Sequence, residues 1–533
     1  MELNLFYEEV LRKKSFYIPV TFFVLVGYSF SMYNRTIDID DLMREFNLGN
    51  GNRCLAGRWG AVLWNKMVGL GIVYDPFIER FLAVIFLVAA AVLFCYILYS
   101  IGREKRVLSY TLTASMFVSY PLFNENWYYA GAWMVTSNMC MVSLGLLIIK
   151  SNLNKLQKNA FATLVLVLPV SSYETSAFYY ITLVCIVIYL ERFVVHNSFE
   201  FWGIIKNFMR YMLPLALSIV VRFLVSFVIN EIYGLQYTGG GAVGIAWIEG
   251  NFLHVLKNMI GFNLVKYGLY ALVYFPILIF ILMLFVFVTQ IMLSPKNRFN
   301  KFLLGGIITI SLFSQSILQG MELPYRHAHS FILFVSFVTW QLCNIHSINI
   351  CRIPIRRIIY LLLFVLCWHQ SVYLNRINGL NDLRSDNEVA CIHQIGSRLV
   401  SEYDNKPVVF VGFYNMGNYI RKYVSVDEKS WNGRLFYFVY DNLLARLDRP
   451  HKYISSNVTC ATADHHQVQQ LFNYFGYDIN CPYQFKGNIE EFTEETQKIE
   501  RDAAHIVREK RIKPYQIYDN GEYIIVNLGE ANL

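Results

Sequence analysis

Residues 1–375 alternate long apolar runs with short charged breaks, and no other feature constrains the fold as much. In a bilayer, backbone amides must be satisfied within the chain, so such runs resolve into membrane-crossing helices. A crossing takes about 20 predominantly apolar residues. About eleven runs qualify, near 15–32, 78–101, 107–123, 132–149, 160–172, 177–191, 210–230, 267–293, 302–319, 329–347 and 358–375. The fifth is short, and the fifth and sixth read either as separate spans or as a broken or re-entrant pair.

Composition agrees. Charged residues make up 16% of the chain, against about 25% in soluble domains. Mean hydropathy is +0.37. Residues 376–533 lack the apolar runs and read as an ordinary soluble domain. The expected fold class is therefore an α-helical polytopic membrane protein, residues 1–375, with a C-terminal soluble α/β domain, residues 376–533. "RKKS" precedes the first run as a signal-peptide n-region would. No small-residue cleavage site follows, so the run is read as a retained span.

Basic residues set the expected orientation. Cytoplasmic loops are enriched in Lys and Arg. Arg12, Lys13 and Lys14 precede the first span, and every second break repeats the signal, as in "GREKR" at 102–106 and "SPKNRFNK" at 294–301. The N-terminus then lies inside, and an odd number of spans puts the tail outside. The net charge of +8 resides mostly in these flanking loops, so it does not imply a nucleic-acid partner.

On the external side lie loop 33–77, loop 231–266 and the tail. In the first, Leu55, Trp59, Val62 and Leu63 fall at roughly helical spacing. This predicts short interfacial helices with Trp59 and Trp64 at headgroup level. In the tail, 382–404 reads as a helix, "KPVVFVGF" as a buried strand, 465–476 and 488–511 as helices. Residues 515–528 read as two strands joined at Asn520–Gly521. Cys460 and Cys481 flank one helix-like segment and are candidates for a disulfide, although spacing alone does not establish a bridge. There is no CxxC motif and no zinc-type His/Cys spacing.

The first break carries "TIDIDDLMREF", with Asp38, Asp40 and Asp41 where the chain leaves the first span. One reading is an acidic loop in water. The other is a general base whose pKa its neighbouring carboxylates raise. Glu125, Glu174, Glu322 and Arg326 map to the same external face, with His327 beside Arg326 and with Arg222 inside an apolar helix. Ionisable groups at membrane depth are costly and mark functional candidates, although any single one is also explained as a paired or snorkelling ion. Carboxylates and cations at one membrane face suit a lipid-phosphate substrate. Arg53, Arg58, Arg326 and Lys257 are candidates to hold a phosphate. Trp59 and the Trp127–Tyr129 cluster are candidates to stack on sugars or an isoprenoid tail, or they form an ordinary interfacial belt.

"DIDDLMREF" after the first span, "NRCLAGRW", "YE" at 173–174, "LPYRHAHSF" at 323–331 and the long tail together resemble the bacterial and phage-type O-antigen glucosyltransferase II family, in the GT-C class of membrane glycosyltransferases. The resemblance implies a GT-C-like fold and transfer of a sugar, glucose, at the outer face of the bacterial cytoplasmic membrane. The donor is then undecaprenyl-phosphate glucose or a related polyprenyl-phosphate sugar, and the acceptor a lipid-linked or surface glycan. It also implies an essential acidic residue in the first external loop, which maps to Asp38, Asp40 or Asp41. No cofactor is expected to be obligatory, although aspartates near a phosphate are compatible with Mg2+ or Mn2+. The rival readings are a flippase or transporter of lipid-linked glycans and a glycan polymerase.

Overall fold

The computed structural model describes residues 2–33, 57–68, 76–102, 106–121, 131–195, 201–233, 246–264, 288, 298–321, 327–344, 349–350, 353–403, 406–411, 472–473, 475–480, 494–513 and 515–528. Contacts divide them into two units, with the change at Arg376–Ile377.

The first unit is helical. Its main helices are α1 (Lys14–Tyr33), α2 (Trp59–Val68), α3 (Pro76–Gly102), α4 (Val107–Ser119), α5 (Ala132–Lys150), α6 (Lys155–Ser172), α7 (Thr175–Leu190) and α8 (Phe201–Tyr233). They continue with α9 (Phe252–Leu264), α10 (Arg298–Ser311), α11 (Ser314–Gln319) and α12 (His329–Cys343). Helix α13 (Ile355–Glu402) begins here and ends in the second unit. Among the described residues, six helical stretches are long and apolar enough to cross a membrane: Lys14–Tyr33, Phe77–Gly102, Ala132–Lys150, Thr175–Phe193, Phe201–Ile232 and Arg356–Arg376. Helices α4, α10 and α12 are apolar but shorter. The expected span at 267–293 lies outside the described residues. The expected single span at 302–319 is instead two helices, because the chain leaves helical geometry at Leu312–Phe313. Ser311, the last residue of α10, turns its hydroxyl to Thr182 of α7 at 3.0 Å.

Helices α5 and α7 form the centre, each with 78% of its span buried, whereas only 22% of the α8 span is buried. That difference places α8 on the rim, where its apolar side chains Phe223, Leu224 and Phe227 are exposed. Several polar groups on the buried helices are satisfied locally or across helix contacts, whereas both amide atoms of Asn138 on α5 are not hydrogen-bonded among the described residues. Thr113 and Ser143 donate to the carbonyls of Ser109 and Met139, one turn back. The Tyr28 hydroxyl of α1 donates to Val118 O of α4. Asn375 Nδ2 of α13 donates to Val26 O at 2.8 Å, and Ser119 to Gln370 Oε1 at 2.9 Å. Such bonds add to packing where no aqueous hydrophobic effect drives helices together.

Helix α2 follows this logic. It packs on α6, and Trp64 Nε1 donates to Ser137 Oγ of α5 at 2.7 Å. Gly60 allows the approach: a Cβ there would sit 2.9 Å from the Leu168 carbonyl oxygen. Gly60→Ala is expected to destabilise the protein by about 1–3 kcal/mol, seen as a lower unfolding temperature in detergent. An unchanged temperature would show that α2 lifts off α6 without cost.

In the second unit, β1 (Val408–Val411) pairs in parallel with β3 (Ile524–Asn527), which pairs antiparallel with β2 (Ile517–Asp519). Val408 and Phe410 pack with Ile392, Ile395 and Leu399 of α13, while Val409 and Val411 pack with Ala503 and Ala504 of α14 (Glu494–Glu509). Both faces of β1 are covered, which is why its sequence is a continuous apolar run. The expected turn at Asn520–Gly521 is present. Gly521 has φ +98°, and Asn520 Oδ1 accepts from the backbone N–H groups of Glu522 and Tyr523. The strand and hairpin lie where the sequence placed them. Cys460 and Cys481 are outside the described residues.

Candidate functional site

The site sits in the corner between α6 and α7. Helix α6 ends at Ser172, Tyr173 is extended, and α7 starts at Thr175. Glu174 therefore stands at the N-terminus of α7, where the helix dipole favours a carboxylate.

Two arginines from distant parts of the chain converge on it. Arg58, just before α2, donates from Nε to both carboxylate oxygens at 3.3 and 3.2 Å, and its Nη2 is 3.1 Å from Oε2. Arg222, from the middle of α8, donates from Nη2 to Oε1 at 2.8 Å. Arg222 also donates from Nε to Gly57 O at 3.2 Å, and Trp59 Nε1 donates to Arg222 O at 3.4 Å. Gly57 has φ +67°, a conformation that costs residues with a Cβ about 1–2 kcal/mol. Burial pushes the Glu174 carboxyl up, but the charges of Arg58 and Arg222 outweigh it and hold the group below the usual carboxylate range. About a third of the Glu174 and Arg58 side chains remains exposed (31% and 35%), against 12% for Arg222. Arg222 is thus the inner member, and Arg58 is one of the two more open ones.

Aromatic and imidazole groups flank this cluster. The Arg58 guanidinium lies over the Tyr173 ring at 5.3 Å. The ring of Tyr173 meets His327 edge-on at 5.5 Å and His329 at 5.9 Å. The Gln315 amide nitrogen donates to His327 Nδ1 at 2.9 Å, and Thr175 Oγ1 lies 3.1 Å from His329 Nδ1.

Of the residues singled out in the sequence, Arg58, Trp59, Glu174 and His327 come together here. Asp38, Asp40, Asp41, Arg53, Glu125, Glu322 and Arg326 lie outside the described residues. Lys257 is exposed on α9. Arg222, Tyr173, Gln315 and His329 join the cluster without having been assigned to a site by sequence. A charge within an apolar helix was the available signal for Arg222, and snorkelling explained it equally well. Among the described residues no three His, Cys, Asp or Glu side chains converge to hold a metal ion.

Two guanidiniums that meet at a helix corner, with Arg58 over an aromatic ring, can hold an anion and a sugar face. A family model described as "Glucosyl transferase GtrII" matches residues 29–340, more than half of the 533 residues. No curated protein and no solved structure matches the chain. Every member of the cluster, from Gly57 to His329, falls within the family match. The chain, with its membrane-length helices and this cluster, belongs to the GtrII glucosyl transferase family.

Proposed function

We propose that this membrane glycosyltransferase moves glucose from a polyprenyl-phosphate donor to a lipid-linked or surface glycan at the outer face of the cytoplasmic membrane. Convergence of Arg58 and Arg222 on Glu174, with Arg58 over Tyr173, is the observation that supports it. In this reading the first-loop aspartates and the cluster face the same aqueous side. The N-terminus is cytoplasmic. The tail, residues 376–533, is a separate extracytoplasmic α/β domain.

The acceptor O–H gives its proton to Asp40 or Asp41 as its oxygen attacks the anomeric carbon. The bond from that carbon to the phosphate oxygen breaks, and the electron pair leaves with the polyprenyl phosphate. A single displacement inverts the anomeric centre. The donor diester carries one negative charge and the departing monoester carries two. Arg58, with Arg53 and Arg326, stabilises the added charge. Trp59, Glu125, Glu322 and His327 line the sugar and acceptor side, and Asp38 supports the base.

The deciding experiment uses purified protein in liposomes, radiolabelled undecaprenyl-phosphate glucose and a membrane glycan extract. Label is expected to pass to glycan. Label that crosses the bilayer still attached to its lipid would indicate a flippase, and glycan that lengthens without uptake of label would indicate a polymerase. The cations do the electrostatic work in this scheme, so EDTA is expected to leave the rate within about twofold, since Lys and Arg can take the place of a metal at a transferring group. A tenfold loss restored by Mg2+ or Mn2+ would place a divalent ion with the aspartates.

A further inference from the structure

The cluster contains a feature that phosphate binding by Arg58 does not require. A lone Glu174 beside Arg58 would neutralise it and compete with an incoming anion. Here the carboxylate is shared: Arg222 takes Oε1 at 2.8 Å, its shortest contact, while Arg58 spreads over both oxygens at 3.1–3.3 Å. Together the three side chains carry one net positive charge instead of none. Arg222 is also the least exposed of the three, and it is tied to Gly57 O, one residue before Arg58.

We propose that Arg222 is a positioning residue for donor binding, drawing Glu174 toward α8 so that the cluster of Arg58, Glu174 and Arg222 stays net cationic toward a phosphate. This rests on the reading of Arg58 as a phosphate ligand. Arg222 touches neither substrate nor reacting atoms and acts through Glu174 and Arg58. A rim helix with an apolar surface thereby contributes a charge that the donor senses at second hand.

Donor KM and kcat are measured for Arg222→Gln, Arg222→Lys, Arg58→Gln and the double variant Arg222→Gln/Glu174→Gln, each first shown to be monodisperse in detergent. Arg222→Gln leaves Glu174 to quench Arg58. It is expected to raise donor KM about tenfold, with kcat within about threefold, as removal of one nearby charge at a half-exposed site implies. Arg222→Lys keeps the charge, so donor KM is expected within about threefold of wild type. The double variant again carries one positive charge. Its donor KM is expected to recover to within about threefold, while kcat falls below that of Arg222→Gln because Arg58 has lost its orienting partner. A double variant with donor KM as high as Arg222→Gln alone would overturn the proposal, because a purely structural role for Arg222 predicts additive damage. If Arg222→Gln does not fold, Arg222→Lys decides: a tenfold rise in donor KM there would assign the role to the bond with Gly57 and refute the charge argument. Arg58→Gln separates the two levels. An unchanged donor KM in Arg58→Gln removes the phosphate reading and this inference with it. A raised KM in Arg58→Gln with none in Arg222→Gln removes this inference alone.

Discussion

Asparagine in place of Asp40 or Asp41 is expected to slow sugar transfer by about 10²–10⁴-fold, the usual contribution of a positioned general base. An acceptor hydroxyl is a poor nucleophile until its proton has somewhere to go, and asparagine offers no basic oxygen. In the proposed mechanism donor binding does not use that carboxylate, so donor affinity is expected to stay near wild type, measured by binding of labelled polyprenyl-phosphate sugar to detergent-solubilised protein. One of the two variants is expected to show the large loss and its neighbour a smaller one. Transfer within tenfold of wild type in both, and in Asp38→Asn, would reduce "TIDIDDLMREF" to a solvated acidic loop. Glu174 does not substitute for the base. Both of its oxygens accept from guanidiniums, and its carboxyl is held below the usual range.

Leucine at position 174 is expected to destabilise the protein by about 2–3 kcal/mol. Removing one partner of a fully buried pair costs about 3–5 kcal/mol. The smaller figure applies because 31% of the Glu174 side chain is exposed. Two guanidiniums would be left facing one another beside an apolar helix. Thermal unfolding in detergent reads the loss, and a variant as stable as wild type would show that the arginines find other partners. The pH dependence has a definite sign. The folded carboxyl has a depressed pKa, so its stabilisation is complete above the unfolded value, about 4.3, and is lost as pH falls through the folded value. The gap between wild type and Glu174→Leu is therefore expected to stay constant from pH 8 to 5 and to narrow only below that.

Much of the scaffold was legible because periodicity and run length carry it. The apolar runs at 15–32, 78–101 and 132–149 correspond to helices Lys14–Tyr33, Pro76–Gly102 and Ala132–Lys150. The uniformly apolar "VVFV" announced a strand covered on both faces, and Asn520–Gly521 announced its hairpin. The break at Leu312–Phe313 was not legible. Hydropathy continues through it, and the contact that accompanies it, Ser311 with Thr182, joins residues far apart in sequence. The cluster was half legible for the same reason. Glu174 and Arg58 are charges at membrane edges and stand out singly. That Arg222 meets them depends on α8 packing against α6 and α7, which no local pattern encodes. The helical stretch at Trp59–Val68 was read correctly as a helix, but its seat on α6 depends on the room left by Gly60.

The Tyr173–Glu174 corner has a consequence for how this chain can change in length. Only one residue separates the end of α6 from Glu174, and α7 follows at once. One residue inserted between Glu174 and α7 would turn the carboxylate by about 100° around the helix axis, away from both arginines. Breaks that lie far from a shared carboxylate can gain or lose residues at little cost. This one has no such slack, so the spacing from Tyr173 to Thr175 sets the angular register of the cluster as firmly as the identities of its side chains.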